Sequence, residues 1–298
     1  MKICPKCGKE NSSDNKFCNY CGEAMGSSKK EGKGKIMPAV IIGALLVVLL
    51  FAGGAYFLMG KGADNKRTSD DPMLLSDSWK DIIKAGKNGS YKKKYRVGDT
   101  KELNLGTEGI ITMRLVAMDA DELADGSGFA SMTWIAEDLL NTEHVMNTEP
   151  TIDGGWPASD LRAWLSTSVY ELVPEEVRTA IKEVNKYSYI YTKTSAETVS
   201  SADTIWIPSC REIYGENSAD EDRGVDYSNA YPDENSWKRC HVNYTEEIFW
   251  FLRSSRALKN GQEGFIDGST GSPYDSPTGY YELMPANEEH GIVIGFCL

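Results

Sequence analysis

The sequence predicts an α+β fold for residues 76–298, preceded by a short cysteine-rich module and one long apolar helix. Three observations predict it. Helix signals come early in the large region and short strand candidates come late, so the pattern is not a βαβ repeat. Long polar stretches, notably 215–238 and 255–290, separate the strand candidates and make the domain loop-rich. Residues 36–60 carry no charged side chain over 25 positions. At about 1.5 Å per residue that run exceeds the roughly 30 Å hydrocarbon core of a bilayer.

The first element is a pair of cysteine knuckles in residues 1–25. Cys4 and Cys7, then Cys18 and Cys21, follow the spacing C-x2-C-x10-C-x2-C, with Gly8 and Gly22 after each second cysteine. Each pair places two thiolates on one tight turn, and glycine lets the following backbone aim amides at sulfur. Four thiolates close a tetrahedral site and leave no open position, so zinc here is structural. A segment this short cannot bury enough core to fold without such a centre. Two disulfides are the alternative reading, and the cytosolic placement argued below disfavours them. The segment resembles the short zinc-ribbon domains that begin many bacterial membrane proteins, which implies a structural role or a contact with a cytoplasmic protein.

Residues 26–35 form a basic linker, with Lys29, Lys30, Lys33 and Lys35. The apolar run 36–60 reads as a transmembrane helix with Tyr56 and Phe57 near one end. Its stronger basic flank comes first, which places the amino terminus in the cytoplasm and the large domain outside the cell. A cleaved signal peptide fits less well, because the run is too long and a folded knuckle precedes it. Residues 61–75 are mostly polar and read as a stalk.

Charge follows this division. The chain carries a formal net charge of -12, yet residues 1–36 hold eight lysines against four acids, so the remainder is strongly acidic. An acidic domain repels phosphate backbones, which argues against nucleic-acid binding by the external part.

Within 76–298, Ser78-Trp79-Lys80-Asp81 predicts a capped helix running to about Ala85 before Gly86. Asn88-Gly89-Ser90 predicts a turn, and Lys92-Lys93-Lys94 a solvated edge. Residues 110–118 predict a strand with Met113, Leu115 and Ala117 on one face. Residues 157–165 and 174–181 predict helices, the second with Pro174 in its first turn and Glu175 and Glu176 at its positive end. Short strands are expected at 187–193, 204–207, 247–254, 264–267 and 291–298.

Several of these segments carry a family resemblance. Gly154-Gly155-Trp156, Ser159, Leu161-Arg162 and Trp164-Leu165 are similar to the G-G-W-x-x-S-x-[ML]-R-x-[WY]-L core of the bacterial "domain of unknown function 6273" family. Trp206-Ile207-Pro208-Ser209, Arg211-Glu212-Ile213, Trp250-Phe251-Leu252-Arg253-Ser254 and the closing 291–297 segment resemble its later motifs in order. The resemblance covers roughly 76–298. Cys210 departs from the usual residue there, and the closing strand lacks the Arg-Pro pair of many members. The family implies no known activity. Its motifs are similar to those of C-type-lectin-like and formylglycine-generating-enzyme-like domains, an analogy of fold that carries no function.

Candidate ligand-binding residues are Arg162, Trp237 and Arg253. Either arginine can hold a carboxylate or sugar, but each lies in an apolar motif, which favours a buried ion pair with Asp or Glu. Trp237 lies in a polar loop and is the tryptophan best placed to stack on a glycan; the others fit core packing. The acidic stretch around Asp220-Glu221-Asp222 matches no calcium-loop signature and reads as solvated. His144, His241 and His290 lack metal-ligand spacing, and no nucleophile-elbow motif is present. Cys210, Cys240 and Cys297 leave a disulfide or a catalytic thiol open. The expected function is an envelope protein whose external domain binds a wall component, glycan or protein. An external hydrolase and a purely structural membrane protein are the alternatives.

Overall fold

The computed structural model describes residues 2–3, 10–11, 71–191, 195–215, 224–231, 249–257, 261–268 and 283–298. It divides into two compact units, residues 1–65 and 66–298. In the first, strand β1 (Lys2–Ile3) pairs antiparallel with β2 (Glu10–Asn11), Lys2 opposite Asn11. The four expected zinc ligands and the apolar run 36–60 lie outside the described residues. Among the described residues no helix is long and apolar enough to cross a membrane.

The second unit is α+β, with two five-stranded sheets and short helices among the described residues. It opens with helix α1 (Trp79–Asn88), capped by Ser78, whose hydroxyl accepts from the Asp81 amide at 3.2 Å. Trp79, Ile82, Ile83 and Ala85 form its buried face. The helix runs past Gly86, where the sequence suggested a stop, and ends at Gly89 with φ 75°. A Cβ on Gly86 would lie 2.8 Å from Ser131 Oγ, so close packing explains that glycine.

The first sheet has the order β3 (Thr100–Asn104), β4 (Ile110–Ala117), β5 (Thr133–Ala136), β12 (Gly295–Cys297) and β8 (Ile205–Trp206), all antiparallel. Leu115 pairs with Trp134, and Trp134 with Phe296, which builds one buried row across three strands. Trp79 of α1 meets Trp134 edge-on, ring centres 5.2 Å apart. The second sheet has the order β11 (Leu283–Met284), β10 (Glu263–Asp267), β9 (Phe251–Ala257), β6 (Val184–Tyr191) and β7 (Ala196–Asp203). It is antiparallel except for the β6–β9 pair, which is parallel.

The two-residue strand β11 escapes the sequence pattern, and so do three longer strands, each of these for a physical reason. β3 is a polar edge strand, and β7 is an edge strand with mostly exposed side chains. All four residues of β5 are buried, so it lacks alternation. Strands β3 to β5 therefore precede most of the helices, which corrects the expected order of helices first. The helix expected over 157–165 is a composite. A 3-10 turn (Trp156–Ala158) leads to the Ser159 cap, a short helix (Asp160–Trp164), a wide π-turn (Leu165–Val169) and a last turn (Tyr170–Leu172). A further short helix, Glu175–Arg178, follows Pro174. Side chains from both sheets and α1 share one buried cluster contained within residues 75–298. The second unit thus has a core of its own.

Candidate functional site

Four ionised side chains meet in the interior. Lys186 sits at an inward position of β6, and Arg253 sits on the neighbouring β9. Glu212 comes from helix α6 (Cys210–Tyr214), and Asp121 from the segment after β4. All four are essentially inaccessible to solvent. Arg253 binds Glu212 through two parallel contacts, Nη1 to Oε2 at 2.6 Å and Nη2 to Oε1 at 2.7 Å. The same guanidinium donates from Nη1 to the Ile207 carbonyl at 2.6 Å and from Nε to the Tyr187 carbonyl at 2.9 Å. The Lys186 ammonium donates to Asp121 at 2.6 Å, Glu212 at 3.0 Å and the Tyr227 hydroxyl at 2.9 Å. It also lies 3.4 Å from the centre of the Trp206 ring, a cation–π contact.

Local structure explains why these groups are in place. Ser209 and Glu212 form a capping box, each side chain bonded to the other's backbone amide, so the helix start aims Glu212 inward. Tyr227 donates to Asp121 at 2.7 Å, and Thr133 of β5 also donates to Asp121. Cys297 of β12 donates to Thr133 Oγ1 at 3.5 Å. The cluster joins strands of both sheets, and its two positive and two negative charges cancel.

Its electrostatics disfavour proton transfer near neutrality. Burial pushes Asp121 up, but the Lys186 charge and three hydrogen bonds outweigh it and hold the carboxyl below its ordinary value. Burial likewise raises Glu212, and Arg253 with Lys186 more than reverses that. Burial lowers Lys186, while Asp121 and Glu212 raise it further. Burial, then the Glu212 and Asp121 charges, pushes Tyr227 well above 10.0. Burial, then Asp121, pushes the Cys297 thiol well above 9.0. Acids stay ionised, the lysine stays charged, and both weak acids keep their protons. Such a cluster locks two sheets together but offers no base or nucleophile.

Two clefts open on either side of an exposed aromatic. Phe129 is 60% exposed and lines both. One cleft, about 210 Å³, reaches the edges of Asp121 and Glu212 and is walled by Glu122, Asn185 and Tyr187. The other, about 230 Å³, has an apolar floor of Ile83, Leu123 and Ala180, with Lys87 and Lys182 in its lining. With Asp121 and Glu212 already matched inside, the exposed Glu122 carboxylate and the Phe129 and Tyr187 rings suit a cationic group in the first cleft, and an apolar cleft with two lysines suits an apolar group beside an anion.

The residues singled out in the sequence fall elsewhere. Arg253 has no exposed surface, so its ligand role is given up in favour of the internal pair with Glu212. Arg162 pairs with Asp203, Nε to Oδ1 at 2.5 Å, and donates from Nη2 to the Ala202 carbonyl at 2.9 Å. Asp203 also accepts from the Trp156 indole at 3.0 Å, so the Gly-Gly-Trp motif and Arg162 serve one internal anchor. Trp237, Cys240 and His241 lie outside the described residues. Cys210 and Cys297 are buried. His144 stacks on Trp164 at 4.6 Å, and His290 meets Phe251 edge-on at 5.0 Å. Among the described residues no group of three or more metal-ligating side chains is assembled.

Sequence reasoning passed over Asp121, Phe129, Lys186 and Tyr227. A charged residue between Val184 and Ser188, at an inward position, is a legible signal for a buried partner. The Ser209–Glu212 spacing is a second such signal. Phe129 gives no such pattern.

Residues 3–25 match the family described as a zinc-ribbon domain. No curated protein and no solved structure matches the chain. Residues 130–271, which hold the Gly-Gly-Trp anchor, the Lys186–Glu212–Arg253 cluster, four strands of the second sheet and two of the first, match the family described as Domain of unknown function (DUF6273).

Proposed function

We propose that the chain is a single-pass protein of the cell envelope that binds an external ligand, with its zinc ribbon inside the cell. The observation that carries the binding reading is Phe129, a large exposed aromatic set between one acidic cleft and one lysine-bearing apolar cleft. Complementary charges on both sides of an aromatic suit a peptide-like ligand bearing an amine and a carboxylate, as in a wall peptide or an extended protein segment. The hydrolase reading gains nothing from the interior cluster, where every ionised acid and base is already matched. Binding of the full chain to a panel of peptidoglycan fragments and synthetic peptides tests the proposal. Phe129→Ser should weaken the best binder by about tenfold. Equal binding by the variant, or no binder in the panel, refutes it.

Cys4, Cys7, Cys18 and Cys21 would hold zinc as four thiolates. Two observations support this: the zinc-ribbon match over residues 3–25, and the C-x2-C-x10-C-x2-C spacing of the four cysteines. Bound zinc supplies folding energy to the module. Zinc content should fall to nothing in Cys18→Ser, and retained stoichiometric zinc would refute the four-cysteine site. The span is proposed for residues 36–60, on their length and lack of charge. Resistance of the full chain to alkaline carbonate extraction tests it.

A further inference from the structure

We infer that the first segment of the large domain, residues 71–102, docks onto an anionic phospholipid surface. This deepens the envelope reading and rests on the proposed span, because ten residues, 61–70, separate the apolar run from Asp71. So short a tether holds the segment within reach of the headgroups.

Folding leaves several apolar side chains of this segment in water. Met73 is 49% exposed and Leu74 58%, although the backbone there is firmly attached. Leu75 and Thr100 exchange backbone hydrogen bonds with their opposite strand, Leu75 N to Thr100 O at 2.8 Å and Thr100 N to Met73 O at 2.9 Å. The Met73 amide also donates to Asp99 at 3.1 Å. Val97 is exposed too, and the adjoining Gly98 packs so closely on Pro72 that a Cβ there would lie 2.7 Å from its ring. Met73, Leu74 and Val97 therefore form an apolar patch on a rigid base.

Charge along this segment is opposite in sign to that of the rest of the domain. Residues 71–102 hold eight basic against five acidic side chains, whereas residues 103–298 hold 13 against 33. Of those five acids only Asp99 is buried, and the others keep charged carboxylates at least partly in water. Asp99 is buried and accepts from the Met73 and Arg96 amides, Asp77 accepts from the Tyr95 hydroxyl at 2.8 Å, and Asp81 accepts from Ser78 at 2.6 Å. Lys93 and Lys94 are exposed, and the Lys101 ammonium donates to the Leu75 carbonyl at 3.2 Å, beside Met73 and Leu74 in the chain. Lys92 is drawn to Asp119 at 2.5 Å and is left out of the argument. Exposed apolar side chains in a segment with a net excess of basic groups fit the headgroup boundary of an anionic bilayer, where the apolar groups insert and the cations meet phosphate. An acidic protein surface offers no such apolar boundary layer.

Co-sedimentation of residues 66–298, which hold a complete core, with lipid vesicles tests the inference. Vesicles with about a third phosphatidylglycerol should bind the domain at low salt, and neutral phosphatidylcholine vesicles should not. Lys93→Glu/Lys94→Glu should lower partitioning by at least about fivefold per lysine. Met73→Ser/Leu74→Ser should abolish residual binding at high salt, with circular dichroism unchanged in both variants. No binding to anionic vesicles, or binding indifferent to both variants, overturns the inference. The fragment lacks residues 36–60, so its partitioning is independent of the span. Carbonate extraction of the full chain reports on the span alone, which keeps the two failures apart.

Discussion

The interior cluster and the 71–102 face treat charge in opposite ways. Inside, Lys186, Arg253, Asp121 and Glu212 are matched one for one, at distances of 2.6–3.0 Å, away from solvent. On the face, basic side chains outnumber acids and several stand in water. A buried charge must find its partner inside the fold or the fold fails, because the interior screens it poorly. An exposed charge is solvated at no structural cost and remains available to something outside. The first arrangement therefore serves the domain, and the second leaves its charges to the solvent side.

The comparison predicts a graded series. Arg253→Met should have the largest effect, a loss of about 3–5 kcal/mol in urea unfolding, because Glu212 would be left buried and unmatched. The double change Arg253→Met/Glu212→Gln should recover much of that loss; no recovery would mean that packing, not charge, dominates. Lys186→Met should behave alike, with Asp121 and Glu212 both losing a partner.

The same cluster sets a pH window. Asp121 and Glu212 have lowered folded values, so their contribution is complete above the ordinary 3.8 and 4.5 and is lost as pH falls through the folded values. Lys186 has a raised folded value, so its contribution is complete below 10.5 and is lost as pH rises through the folded value. Tyr227 and Cys297 also have raised folded values, so their contribution begins to fall above the ordinary 10.0 and 9.0, and the cluster should add no pH dependence only between about 4.5 and 9.0. Acid titration followed by circular dichroism should show Lys186→Met unfolding at higher pH than wild type.

Smaller effects follow outward. Gly155 has φ 57°, and a Cβ there would lie 2.5 Å from Ile190 Cδ1, so Gly155→Ala should lower stability by about 1–3 kcal/mol. Arg162→Ala removes a pair that is 30% exposed on the arginine side and buried at Asp203. Its loss should be about 1–2 kcal/mol, below that of Arg253→Met. Lys93→Glu/Lys94→Glu should change stability by less than about 0.5 kcal/mol. A large loss there would erase the distinction between the two regions.

Much of the α+β frame was legible because burial on one face leaves a period. Met113, Leu115 and Ala117 alternate inward on β4, and Ser78 with Asp81 announces α1. Strands without that period were not legible: β5 is buried throughout, and β7 is exposed along an edge. The arginines were legible as members of ion pairs, but their partners lie 41 residues away in each case, Asp203 for Arg162 and Glu212 for Arg253. No local pattern encodes that choice.

The sequence by itself determined the cysteine spacing, the uncharged 25-residue run and the reversal of charge along the chain, since these are properties of neighbours in order. Only the tertiary structure decided which charges are spent inside and which face water. Burial depends on what the fold brings together, and Lys186 and Lys93 differ in nothing but where β6 and the 91–94 helix turn place them.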